Sequence, residues 1–239
     1  MFPFNLVKSE SFEEMSIEAS NHIIDVMQEQ PESLFCFAGG DTPVRTLELL
    51  VEAHHEKKID LTKAFYIGLD EWVGLDETDQ GSCLYYMNKN LFIPADIPKE
   101  QIHFFDAKSD NLKNECNLAN NFIMEHHGIT LSLLGVGVNG HLGFNEPGTS
   151  FDSLSHVITL DGSTKTIGEK YFEQEIEINK GITLGIRQIL DSEHIIVLAS
   201  GESKREALSK LLQGEVTAQW PITSLNKHEN CTVFAHDVL

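Results

Sequence analysis

The segment Leu131–Gly148, LSLLGVGVNGHLGFNEPG, constrains what this chain can fold into more than any other stretch. Apolar Leu131, Leu133 and Leu134 have the pattern of a buried strand, and the glycines at 135, 137, 140 and 143 permit sharp turns and close approach of backbone to a ligand. His141 and Glu146 come directly afterwards, so two groups able to move protons stand just past a strand's carboxyl end. Open α/β sheets bind their ligands there. Gly135-Val-Gly137-Val-Asn139-Gly140 is formally a G-x-G-x-x-G, and Asp161 lies at the spacing of a ribose-binding acid. A dinucleotide turn needs several turns of helix from its third glycine, and Pro147 and Gly148 cut such a helix short. The dinucleotide reading is therefore disfavoured.

Around this segment, helical and strand patterns alternate. Ser9 to Gln28 has a helical period, with Ser9 or Ser11 as cap, and further helices are expected at Val44 to His54, Ser82 to Leu91, Leu112 to His126, Ile182 to Leu190 and Ser203 to Leu212. Strands are expected at Ser33 to Phe37, Ala64 to Leu69, Val157 to Leu160, Ile195 to Ala199 and Thr232 to Phe234. The alternation predicts an α/β fold with a mainly parallel sheet covered on both faces. With 239 residues and no linker-like or repetitive stretch, one domain spanning 1–239 is expected.

The N-terminus has too short an apolar run and too many early acids for a signal peptide, and nothing is long enough to span a membrane. Cys36, Cys83, Cys116 and Cys231 are widely spaced, which points to reduced thiols in the cytoplasm and away from zinc. A formal charge of −20, from 17 basic and 37 acidic residues, argues against nucleic acid or an anionic membrane as partner. If the ligand is an anion, the few cations must be concentrated where it binds.

Three more strand ends carry candidate chemistry. In Gly39-Gly40-Asp41-Thr42-Pro43 the glycines let backbone N–H groups converge, Thr42 adds a hydroxyl, and Pro43 presets a helix whose positive end suits an oxyanion. The alternative is a tight strand-to-helix turn capped by Asp41 or Thr42. A carboxylate repels a phosphate, so Asp41 should point away or cap the helix. In Leu69-Asp70-Glu71-Trp72-Val73-Gly74 the adjacent acids leave the strand on opposite faces, so at most one meets the ligand. It is either a desolvated general base or, with its neighbour, an ordinary solvated loop residue. In Gly201-Glu202-Ser203-Lys204, Lys204 in a first helical turn opposes the helix dipole, a place that an anion would justify. Lys165, Lys170 and Arg187 read first as solvated surface residues, and His54-His55 and His126-His127 as helix C-terminal imidazoles without a metal.

Taken in order, Gly39-Gly40-Asp41-Thr42-Pro43, Asp70-Glu71-Trp72-Val73-Gly74, Gly140-His141-Leu142-Gly143-Phe144-Asn145-Glu146-Pro147 and Gly201-Glu202-Ser203-Lys204 resemble the glucosamine-6-phosphate deaminase/isomerase family over nearly the whole chain. The resemblance implies a Rossmann-like three-layer α/β sandwich and an enzyme, formally a hydrolase, of cytoplasmic amino-sugar metabolism. It would turn glucosamine 6-phosphate into fructose 6-phosphate and ammonia. His141, held by Glu146 and Asn139, would open the sugar ring, and Asp70 would carry the C2 proton to C1 through an enediol-like intermediate. The phosphate would lie on Gly39 to Thr42 with Lys204 and Lys170, and Gly137 would line the substrate site. No metal or organic cofactor is implied, and oligomeric state is not addressed.

Some residues depart from the family pattern. Many members have Asp where this chain has Asn139, which limits that residue to an orienting role. Asp41 makes the turn similar to the G-G-S-T-P of 6-phosphogluconolactonases, and Trp72 replaces a common Tyr. His156 and Ile158 stand where allosteric members carry basic residues, so activation by an acetylated sugar phosphate is not expected. Alternatives are a galactosamine-6-phosphate isomerase, a 6-phosphogluconolactonase, which usually has G-H-x-A-S-x-F-P-G at the signature, and a non-catalytic sugar-phosphate sensor. The acidic charge and the presence of Asp70, His141 and Glu146 together weigh against the sensor.

Overall fold

A computed structural model describes residues 3–172 and 178–238. The chain runs β1 (Asn5–Lys8), α1 (Phe12–Glu29), β2 (Leu34–Phe37), α2 (Val44–His55), β3 (Phe65–Gly68), β4 (Asp70–Trp72), α3 (Cys83–Met87), β5 (Ile102–His103) and α4 (Leu112–Glu125). It continues through β6 (Leu131–Gly135), β7 (His156–Thr159), α5 (Gly162–Gly168), β8 (Lys180–Thr183), α6 (Ile186–Leu190), β9 (His194–Ser200), α7 (Arg205–Leu212) and β10 (Cys231–His236).

Seven strands form one sheet in the order β1-β10-β9-β6-β2-β3-β5, and every neighbouring pair is parallel. Because side chains alternate across a strand, each strand feeds two cores. Phe35, Phe37, Leu131, Leu133, Ile196 and Leu198 pack against the helical stripe Met15, Ala19 and Ile23 of α1 and Leu47 and Leu50 of α2. Leu34, Cys36, Leu134, Ile195 and Val197 face the other way, onto Cys116 and Ala119 of α4, Ile189 of α6 and Leu208 and Leu211 of α7. This is the three-layer α/β sandwich expected from the alternation. Each large side chain buried in it is worth roughly 1.5–3 kcal/mol. Of the two candidate caps for the first helix, Ser11 serves, its hydroxyl accepting from the N–H of Glu14 at 3.0 Å.

Connectivity locates the ligand-binding edge. From β2 the chain proceeds outward through β3 and β5, then returns to β6 on the other side of β2. The order therefore reverses between β2 and β6, and their carboxyl ends diverge into a crevice.

Several elements differ from expectation. Val157 to Leu160 is a strand, β7, but it belongs to a separate antiparallel sheet ordered β4-β8-β7. The helix expected over Ile182 to Leu190 is β8 followed by the shorter α6. Ile182 pairs with Glu71 and Val157 in that sheet, and at Gly185 a side chain would stand 2.0 Å from the Ser153 carbonyl oxygen. A helical spacing of Ile182, Ile186 and Ile189 concealed a strand and a close backbone crossing. The helix expected at Ser82 to Leu91 is α3 followed by a π-helical turn, Asn88–Phe92. The edge strands β1 and β5, four and two residues long, were not anticipated. Among the described residues no helix is long and apolar enough to cross a membrane.

Candidate active site

One cavity lies at the β2/β6 crevice, and residues from all four motifs line it: Gly39 to Pro43 after β2, Asp70 and Trp72 on β4, Gly137 and His141 after β6, and Lys204 after β9. The spatial convergence expected of four distant segments is present. The Gly135-to-Gly140 stretch enters turns and no helix begins there, as the short G-x-G-x-x-G segment led us to expect.

His141 is held from one side. Its Nδ1 lies 3.4 Å from Glu146 Oε2 and 3.1 Å from the Thr164 hydroxyl. With a proton on Nδ1 to donate to these oxygens, Nε2 is left with its lone pair and has no hydrogen-bond partner among the described residues. Glu146 is itself fixed: Oε1 accepts the Asp161 N–H at 3.1 Å, and Oε2 accepts Asn139 Nδ2 at 2.9 Å. Burial raises the Glu146 carboxyl, but the hydrogen bond and charge of His141, with Thr164 and Asn139, outweigh it and hold the group below its ordinary value. Asn139 thus orients the pair, its Oδ1 also accepting the His141 N–H at 3.2 Å. Gly137 has a steric reason to be glycine. A Cβ there would stand 2.1 Å from His141 Cδ2, so only a bare backbone lets the imidazole lie across it.

The two acids of β4 separate as strand geometry requires. Glu71 turns inward, 1% exposed, and accepts three backbone N–H groups: Trp72 at 2.8 Å, Cys83 at 2.9 Å and Leu84 at 2.9 Å. It ties β4 to the start of α3, a structural task. Asp70 faces the cavity yet is 8% exposed, and burial pushes its carboxyl up to about 6 against the opposing influence of His141 and a hydrogen bond from Cys83. Neither acid is a solvated loop residue. β4 exists because the chain leaves β3 and pairs Asp70 with Thr183 of β8, which withdraws Asp70 from water.

The other end of the cavity carries the turn after β2 and Lys204. Gly40, at φ 113°, turns the chain between β2 and α2, a conformation that favours glycine. α2 opens without a side-chain cap at Pro43, so its first N–H groups are not taken by Asp41 or Thr42. Asp41 lines the cavity without capping α2, and its carboxylate accepts Lys170 Nζ at 2.8 Å and the Tyr86 hydroxyl at 3.2 Å. Lys204, half-buried at the start of α7, has its ammonium pKa lowered by burial and by the charge of Lys170. Lys170 is exposed, as its surface reading has it, and is paired with Asp41, while Lys165 is bonded to Asn179 and does not line the cavity. Arg187 likewise pairs with Asp191 on the surface.

Sequence reasoning missed Thr164, Cys83, Tyr86 and Tyr171, all of which line the cavity. Thr164 follows Asp161, the cap of α5, and a capped helix start after the signature was the available signal. The tyrosines and Cys83 carry no spacing that marks them. Among the described residues no group of three or more His, Cys, Asp or Glu is placed to hold a metal ion.

A parallel sheet with a buried carboxylate, an imidazole–carboxylate pair and a lysine gathered at its switch point defines an α/β protein with acid–base groups at its ligand-binding crevice. The chain belongs to the glucosamine-6-phosphate isomerase/6-phosphogluconolactonase family, whose model matches residues 8–234. Curated relatives include the glucosamine-6-phosphate deaminase of Oceanobacillus iheyensis, 37% identical with 96% of this chain and 92% of the relative covered. That of Shouchella clausii is 38% identical, with 98% and 95% covered. A solved monomeric glucosamine-6-phosphate deaminase superposes with a TM-score of 0.94 at 33% identity, covering 98% of this chain and 97% of that one. The 6-phosphogluconolactonase of Thermotoga maritima shares the fold at a TM-score of 0.78 and 21% identity, covering 98% of this chain and 99% of that one.

Proposed function

We propose that this protein is an enzyme converting glucosamine 6-phosphate and water to fructose 6-phosphate and ammonia, as the names of its deaminase relatives suggest. The observation that most supports it is the meeting of Asp70, the His141–Glu146 pair and Lys204 around one cavity. His141 Nε2 takes the anomeric hydroxyl proton and returns it to the ring oxygen, opening the pyranose. Glu146, hydrogen-bonded at Nδ1, stabilises the imidazolium that forms between the two transfers. Asp70 then removes the C2 proton of the open aldose and delivers it to C1 through an enediol-like intermediate. The resulting C2 imine takes up water and loses ammonia. The net uptake of water makes the enzyme formally a hydrolase as well as an isomerase, and proton transfers alone suffice without a cofactor.

The 6-phosphate would lie on Gly39 to Thr42 and the uncapped N-terminus of α2, with Lys204, which lines the cavity, beside it and Lys170, bonded to Asp41, as the second cation. Gly137 lines the sugar site and leaves room for the His141 ring that acts on it. Residues 1–239 act as one sugar-phosphate isomerase domain, and four free thiols among the described residues favour the reducing cytoplasm. The test is to incubate the protein with glucosamine 6-phosphate and measure ammonia and fructose 6-phosphate together, with galactosamine 6-phosphate and 6-phosphogluconolactone as parallel arms. Equimolar products in the first arm are expected. Lactone hydrolysis without ammonia release from either amino sugar would refute the assignment.

A further inference from the structure

We propose that Thr164 is a positioning residue for His141, a second acceptor for the Nδ1 proton that lets the imidazole tilt between the two oxygens it must serve during ring opening. Resting on the reading of His141 as the ring-opening group, this role belongs to a residue that none of the four motifs contains. Thr164 lies in the first turn of α5, is buried, and lines the cavity. Its place follows from the signature segment. Glu146 Oε1 accepts the N–H of Asp161, and Asp161 caps α5 by accepting the Ser163 N–H at 2.9 Å, so the carboxylate beside His141 also docks the start of this helix. Docked there, α5 brings the Thr164 hydroxyl to 3.1 Å from His141 Nδ1, nearer than Glu146 Oε2 at 3.4 Å.

Both oxygens bear on one nitrogen. An ionised carboxylate only accepts, so Nδ1 carries the proton, and the hydroxyl, which can accept as well as donate, is the second oxygen that proton meets. The opposite edge of the ring is free to move. Nε2 has no hydrogen-bond partner among the described residues, and at Gly137 a Cβ, which would stand 2.2 Å from Nε2, is missing. Ring opening uses that freedom. The hydroxyl that gives its proton and the ring oxygen that receives it are two atoms on the same carbon, and a rigidly fixed imidazole cannot aim its Nε2 lone pair well at both. With Glu146 alone, a tilt toward one of them would stretch the single bond at Nδ1. With Thr164 on the other side of the proton, Nδ1 stays bonded through the swing, while the charge of Glu146 supports the imidazolium.

The test compares kcat and KM for ammonia release in the wild-type enzyme, in Thr164→Val, which keeps the shape and removes the hydroxyl, and in Thr164→Ser, which keeps the hydroxyl. Thr164→Val should lose about tenfold in kcat with KM changed by less than about twofold, and Thr164→Ser should stay within about threefold of wild type. A second readout needs no turnover: in protein carrying isotope-labelled histidine, the Nδ1–H resonance of His141, assigned by its loss in His141→Gln, should move in Thr164→Val and return in Thr164→Ser. Wild-type kcat in Thr164→Val, equal losses in the Val and Ser variants, or an Nδ1–H resonance indifferent to Thr164→Val overturns the proposal. Full turnover in His141→Gln is a different failure, since it takes ring opening away from His141 and with it the function assigned to Thr164.

Discussion

Replacing Asp70 by Asn should abolish most turnover and stabilise the protein, and both effects follow from the same burial. In the folded chain the carboxyl is pushed from 3.8 up to about 6, so ionising it at neutral pH costs the native state about 3 kcal/mol relative to the unfolded chain. The sign is that of a raised acid. The penalty is absent while the group is protonated in both states, grows as pH rises from 3.8 toward 6, and is complete above that. Asn keeps the shape and removes the charge. Asp70→Asn should therefore melt higher than wild type at pH 7.5, by about 5 °C or more for a chain of this size. That gap should close as pH falls toward 4. Loss of a general base should cut kcat by about 10²- to 10⁴-fold, with binding of the sugar phosphate retained. Thermal unfolding across pH, paired with ammonia release, measures both. Equal melting temperatures at pH 7.5, or a gap that widens on acidification, would refute the burial argument. Near-normal kcat would remove Asp70 from the chemistry.

Lys204→Ala should raise KM about tenfold or more with a much smaller change in kcat, and should weaken competitive inhibition by inorganic phosphate in parallel. Inhibition unchanged by the substitution would place the phosphate elsewhere. Gly137→Ala places a methyl where the His141 ring lies, 2.1 Å from Cδ2, and displacement of the imidazole by an ångström should cost about 10²-fold in kcat. Steady-state kinetics with a folding control by circular dichroism checks it, and wild-type turnover would show that the ring has room to move.

The alternation of short apolar runs with helical apolar stripes determined the α/β architecture by itself, because a strand buried on both faces needs a near-continuous apolar run and its covering helices need a stripe. Leu131 to Leu134 and Ile195 to Ala199 carry that requirement in their composition, so the central sheet and the four motif-bearing strand ends were legible. His141 and Glu146 were readable as a pair because they are five residues apart within one turn-rich segment. Tertiary structure alone decided the rest. Ile182 has the same hydrophobicity in a helix or a strand, and only its pairing with Glu71 and Val157 makes it part of β8. Asp41 and Lys170 are distant in the chain, and their ion pair, like the contacts of Thr164 with His141 and of the Cys83 N–H with Glu71, arises from packing of elements that share no sequence period. The chain's local pattern sets which faces must be buried, but a carboxylate becomes a base only where the surrounding fold takes its water away.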